Sequence, residues 1–130
     1  MSAVVDASVL VAALVDSGRD GAWAETILAA GGLHAPELVL AETSNVLRRL
    51  ESGRRISASG AGQAFEDLMQ LPMQLYPFEP FADRVWELRH NLTTYDAWYV
   101  AIAEALSLPL ATLDAPFTRN KSVRCKFLIR

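Results

Sequence analysis

The chain has 130 residues, of which 52% are hydrophobic and 21% charged, and its formal net charge is −3. That length suits one domain, residues 1–130, around one core. The charge leaves no global basic footprint for nucleic acid, and the apolar fraction leaves surface to spare for a second copy or a permanent partner.

The elements follow in chain order. "SAVVDAS" is a short β-branched run that ends at an acid and reads as a first strand. It has no basic segment ahead of it and carries Asp6 inside it, so it does not read as a signal peptide. Ser8 to Val15 and Gly21 to Ala30 read as helices separated by the "SGRDG" turn. "GGLHAP" is a turn followed by a very short strand. Pro36 then opens a helical pattern from Glu37 to Leu50, closed at "ESGRR" with Gly53 as C-cap. Ser57 or Ser59 caps a further helix running to about Gln70. "MQLYPF" is a strand that Pro77 places at an edge or ends. Phe81 to Asn91 is helical, and "TTYDAWYVAIAEAL" is a nearly uncharged helix capped by Thr93 or Thr94. "LPLATLD" is a buried strand ending at an acid, residues 115 to 121 are loop or one helical turn, and "VRCKFLI" is a last strand. Strands alternating with helices give an α/β sandwich around a mostly parallel sheet of four to five strands flanked by helices. No run reaches the length of a membrane span, and Cys125 is the only cysteine, which together suit a cytoplasmic protein.

Of the fifteen Asp and Glu residues, most fall in turns or on outward helical faces, and four do not. Asp6 and Asp114 end predicted strands, where open parallel sheets bind their ligands. An acid after a strand can equally cap the next helix. Glu42 falls between Leu38 and Val46 on the apolar side of "ELVLAETSNVLRRL"; it either points inward, with Asn45 nearly one turn on, or reaches the edge to pair with Arg49. Asp96 heads the stripe Asp96, Tyr99, Val100, Ala103. The helix dipole favours an exposed acid there but does not account for one heading a buried stripe. Four carboxylates gathered by a fold would repel one another. A divalent cation removes that conflict, and an all-oxygen set selects Mg²⁺ or Mn²⁺ over Zn²⁺, which points to phosphate chemistry.

These residues together resemble the PIN-domain nucleases, most closely the VapC-type toxins of bacterial toxin–antitoxin pairs. "VVDASVLVAAL", "APELVLAETSNVLRR" and "LTTYDAWYVAIAEALSLPLATLD" carry the resemblance over nearly the whole chain. It implies a PIN-like fold and a metal-dependent endoribonuclease. Asp6 and Asp96 would be the main Mg²⁺ ligands, with Glu42 and Asp114 completing the catalytic acids directly or through water. Ser8, Asn45 and Thr112 would orient ligands. It also implies an RNA substrate, a homodimer and a cognate antitoxin. A flexible tail of the antitoxin would lie in an apolar groove near the first helices, with Leu14 and Trp23 in its wall, and place a basic residue beside Asp6 and Asp96.

A response-regulator receiver domain fits the length and the strand-end acids. It needs an acidic pair after strand one and a late lysine, and Asp6 stands alone while Lys121 and Lys126 are poorly placed. A PIN-like module used only for binding would have lost acids, and none is lost. The cluster Arg48, Arg49, Arg54 and Arg55 and, after the fourth acid, Arg119, Lys121 and Arg124 are candidate RNA contacts. Arg48 and Arg49 also suit a helix C-terminus, and Arg54 and Arg55 a solvated turn. Trp23, Trp86 and Trp98 read as core or interface, Cys125 as a buried small hydrophobe on the last strand, and His34 and His90 receive no role.

Overall fold

A computed structural model describes residues 2–114 and 116–130. Five strands form one sheet in the order β3-β2-β1-β4-β5, every pair parallel. They are β1 (Ala3–Val5), β2 (Leu33–Pro36), β3 (Met73–Tyr76), β4 (Leu110–Ala111) and β5 (Phe127–Leu128). Val4 sits at the centre, facing His34 on β2 and Leu110 on β4. Val4, Val5, Ala35, Leu110 and Ala111 are fully buried, as expected where helices cover both faces of a parallel sheet. β3 is an edge, as Pro77 implies.

The helices are α1 (Ala7–Val15), α2 (Arg19–Ala30), α3 (Leu38–Ser52), α4 (Ala58–Gln70), α5 (Ala82–Glu87) and α6 (Thr94–Leu106). α1 packs on α2, α3 and α4, whereas α6 packs on α5 and on β1, β2 and β4. The chain steps outward from β1 to β3 and then returns across the sheet to β4. Right-handed crossovers therefore put α1–α4 on one face and α5–α6 on the other. The direction reverses between β1 and β4, so the crevice beyond the carboxyl ends of these strands is where a ligand belongs. The receiver-domain alternative fails here, because that fold has the order 2-1-3-4-5.

Several boundaries differ from the sequence reading, each for a local reason. α2 begins at Arg19, inside the expected turn, because Gly18 serves as its N-cap. Gly53 does close α3, with its N–H on the Arg49 carbonyl, but the left-handed residue is Arg54, at φ 57°. Ser57 rather than Ser59 caps α4, accepting from Gly60 N. The helix expected over Phe81–Asn91 shrinks to α5, preceded by a 3₁₀ turn at Glu79–Phe81. Beyond Glu87 the chain turns tightly, with Arg89 N on Trp86 O and Asn91 N on Leu88 O, and Asn120 donates to the Asn91 carbonyl.

The last strand is shorter than "VRCKFLI" because α6 captures its first half. The amide of Arg124 donates to Glu104 Oε2 at 2.8 Å instead of to a strand. Arg84 from α5 donates to both Glu104 oxygens, at 2.7 and 3.2 Å, and to the Ser122 carbonyl at 3.0 Å. Burial opposes the Glu104 charge, but the bonds from Arg84 and Arg124 outweigh it and hold the carboxyl below its usual range. Cys125 therefore precedes β5 and is half-buried rather than buried. Burial, then the nearby Glu104 charge, pushes its thiol up to about 11. Leu14, Trp23 and Trp98 are half-buried against the core, whereas Trp86 is 67% exposed with the Arg89 guanidinium 4.5 Å above its ring. His34 Nδ1 lies 2.7 Å from the Tyr76 hydroxyl, a contact between neighbouring strands.

Candidate active site

Asp6 leaves β1 at the carboxyl rim and enters α1 as its N-cap. The capping reading of this residue holds, and it leaves the carboxylate at the rim. Oδ1 accepts from Val9 N at 3.2 Å and from Ser8 Oγ at 2.5 Å, while Oδ2 accepts from Thr112 Oγ1 at 2.5 Å. Thr112 is fully buried just beyond β4, and its Oγ1 also accepts from Asp114 N at 3.0 Å. Ser8 Oγ in turn accepts from Leu113 N at 3.1 Å. Two hydroxyls thus lace the end of β1 to the stretch after β4, across the crevice where the sheet order reverses. β4 ends at Ala111, although Thr112 N still donates to the Leu128 carbonyl at 3.1 Å, so Asp114 lies beyond the strand end rather than on it. Burial raises the Asp6 carboxyl, against the lowering effect of Ser8, Thr112 and the Val9 amide.

Asp96 comes to the rim from the other face of the sheet. Thr93 caps α6 by accepting from Asp96 N at 3.1 Å, so Thr93 is the cap and Asp96 sits in the first turn. Burial raises its carboxyl first, and the charge of Asp114 raises it further, against a lowering bond from Thr93. Asp96 and Asp114 are therefore electrostatic neighbours.

Glu42 does not pair with Arg49. Its Oε1 accepts from the Tyr99 hydroxyl at 2.5 Å. Tyr99 is 2% exposed. Burial raises its hydroxyl first, then the bond to Glu42, then the charges of Glu42, Asp6 and Asp96, so it stays protonated. One phenol thus feels three of the four acids. Tyr99 was missed as a site residue, although a phenol inside an apolar helix must find an acceptor.

None of the four acids is in a salt bridge among the described residues, whose ion pairs are Arg84–Glu87, Arg84–Glu104 and Arg130–Asp20. Nor, among those residues, do three His, Cys, Asp or Glu side chains form a ready-made metal cage. The acids converge on one rim without closing on a common point.

The other expected residues divide. Ser8 and Thr112 do brace an acid. Asn45 is exposed, and its Oδ1 accepts from Arg48 Nε at 3.0 Å instead. Arg49, Arg119 and Lys121 are exposed. Arg55 borders a groove of about 630 Å³ between α1 and the end of α3, which runs up to Ser8 and Leu113. Val11, Val15, Val46, Leu50 and Ile56 make its apolar wall; Leu14 and Trp23 do not line it, because they turn towards the core.

Comparison with known proteins bears on the family and the fold. The family model described as PIN domain matches residues 3–122. Ribonuclease VapC9 of Mycobacterium tuberculosis is 38% identical over 126 residues, covering 97% of this chain and 96% of the relative. Ribonuclease VapC1 of the same organism is 37% identical over 124 residues, covering 95% and 93%. Among solved structures, a protein from Pyrobaculum aerophilum superposes with a TM-score of 0.71 at 22% identity, covering 95% of this chain and 82% of the other. VapC20 of M. tuberculosis, a toxin that cleaves the sarcin–ricin loop, superposes at 0.67 with 20% identity, covering 95% and 99%.

Proposed function

The chain belongs to the PIN-domain family, and on that premise we propose that it is an endoribonuclease toxin of the VapC type, with Asp6, Glu42, Asp96 and Asp114 as its catalytic acids. Ribonucleases of this family generally depend on divalent metal. The observation that carries the reading is four carboxylates drawn from distant parts of the chain to one rim, with no cation paired to them among the described residues. A fold that only needed stability would pair or solvate the three that are partly buried, Asp6, Glu42 and Asp96.

The donor set is carboxylate and hydroxyl oxygen, which fits Mg²⁺ or Mn²⁺ and not a thiolate- or imidazole-seeking ion. Asp6 and Asp96 would hold the ion, with Glu42 and Asp114 joining directly or through water. The chemistry such an ion supplies is activation of water and stabilisation of the leaving oxygen in phosphodiester hydrolysis. The residues of the chain do the rest. Ser8 and Thr112 fix the Asp6 carboxylate in one rotamer, and exposed Arg119 and Lys121, just after Asp114, offer charge to the RNA backbone.

The 630 Å³ groove beside Asp6 suits an apolar tail of the cognate antitoxin. A basic residue on that tail would reach the acids and form charge-assisted bonds with them. Exposed Phe78, Trp86 and Tyr95 support a homodimer, which light scattering tests; a monomer at every concentration counts against it.

The test of function is cleavage of an RNA pool by the purified toxin. Cleavage should require Mg²⁺ or Mn²⁺, stop in EDTA and return on adding the ion back. Cleavage that survives EDTA, or none under any divalent condition, would overturn the reading.

A further inference from the structure

We propose that Tyr99 is a positioning residue for the site: its hydroxyl fixes the Glu42 carboxylate and so sets the affinity of the acidic rim for a divalent cation. This deepens the nuclease reading and rests on it.

Glu42 and Tyr99 are 57 positions apart and belong to helices on opposite faces of the sheet. α3 packs on α1, α4 and β2, whereas α6 packs on α5, β1, β2 and β4. Neither packing scheme by itself fixes the end of a glutamate side chain with three rotatable bonds. The hydroxyl does so, at 2.5 Å from Oε1. Among the described residues no donor meets Oε2, so one oxygen is held and the other stays available.

The contrast with Asp6 shows why the device is needed. Asp6 is short, begins a helix and is gripped by Ser8, Val9 and Thr112. Glu42 is longer and depends on one donor. That donor is dependable, because Tyr99 is buried in α6 and its hydroxyl has the Glu42 carboxylate as its acceptor. Tyr99 also lies one helical turn from Asp96, on the same face of α6. One helix therefore presents an acid and the clamp for another.

Tyr99→Phe removes a single oxygen from a buried ring and leaves the helix apolar, so the variant should fold. We expect its Kd for Mn²⁺, measured by calorimetry on metal-free protein without RNA, to rise about 10–100-fold, the usual consequence of losing a partner that orients a ligand. If the hydroxyl acts only through Glu42, Tyr99→Phe should add little further loss in a Glu42→Gln background. Parent-like affinity in Tyr99→Phe, or a loss that adds in full on top of Glu42→Gln, would overturn the inference. An independent reading uses the unaltered chain: the Tyr99 hydroxyl proton should resonate downfield and exchange slowly, and Glu42→Gln should remove that signature. Its absence from the parent would overturn the inference whether or not the Phe variant folds. A parent that binds no Mn²⁺ at all would instead remove the nuclease reading, and this inference with it.

Discussion

The two ends of α6 carry one carboxylate each, and the fold treats them in opposite ways. Glu104, near the C-terminus, meets Arg84 in a two-toothed ion pair and accepts the Arg124 amide. Its charge is favoured, and its carboxyl is held below the usual range against burial. Asp96, at the N-terminus, has no cationic partner among the described residues, and burial and Asp114 raise its carboxyl. One acid is a structural tether for the chain leading to β5. The other is a half-buried carboxylate whose charge is opposed by burial and by Asp114.

This contrast breaks first on activity. Asp96→Asn keeps the shape and loses the charge. RNA cleavage in Mg²⁺ should fall at least about 100-fold, since a site that binds its ion poorly forfeits several kcal/mol of charge stabilisation. Glu104→Gln, assayed beside it, should lose far less. Parent-like cleavage by Asp96→Asn would leave it a helix-end acid and nothing more.

Stability should reverse the ranking. Glu104→Gln weakens charge-assisted bonds to a mostly buried group and should cost about 1–3 kcal/mol at neutral pH, measured by urea unfolding. The sign with pH follows from the lowered carboxyl. Its contribution is present above the ordinary carboxylate pKa and is lost as pH falls through the depressed native value, so parent and variant should converge in acid. No convergence would mean that the loss came from packing rather than charge.

The smallest effect has the opposite sign. The raised Asp96 carboxyl favours folding below its unfolded pKa and loses that contribution as pH rises through the native value. In EDTA at neutral pH, Asp96→Asn should therefore raise Tm by about 3 °C, with the advantage fading in acid. A lower Tm would show that the helix dipole outweighs burial and Asp114 at this position.

How much could be read from residues alone follows the same division. The helix after Thr93, the strand ending at Asp6 and the inward aim of Glu42 were legible, because each is a local departure from an apolar pattern. Ser8 and Thr112, singled out through the resemblance, both hydrogen-bond Asp6. What escaped depends on partners far along the chain. Nothing near Tyr99 announces an acceptor 57 positions away, and nothing in "VRCKFLI" shows that Glu104 will take the Arg124 amide and shorten the strand. Asn45 was misjudged because being nearly one turn from Glu42 does not fix which way a polar side chain turns, and Arg48 draws it outward. Leu14 and Trp23 sit on the expected helices but face the core, leaving the groove to Val11, Val15 and residues of α3.

On this reading the acids at the β1–β4 crevice, none of them in an ion pair among the described residues, hold one or more divalent cations. Crystals grown without metal and soaked in Mn²⁺ reveal the ion's position through its anomalous signal. That signal should lie at the rim, about 2–2.2 Å from carboxylate oxygens of Asp6 and Asp96, and be absent from the same soak of Asp96→Asn. A Mn²⁺ peak elsewhere on the molecule with none at this rim, or an undiminished peak in Asp96→Asn, would contradict it.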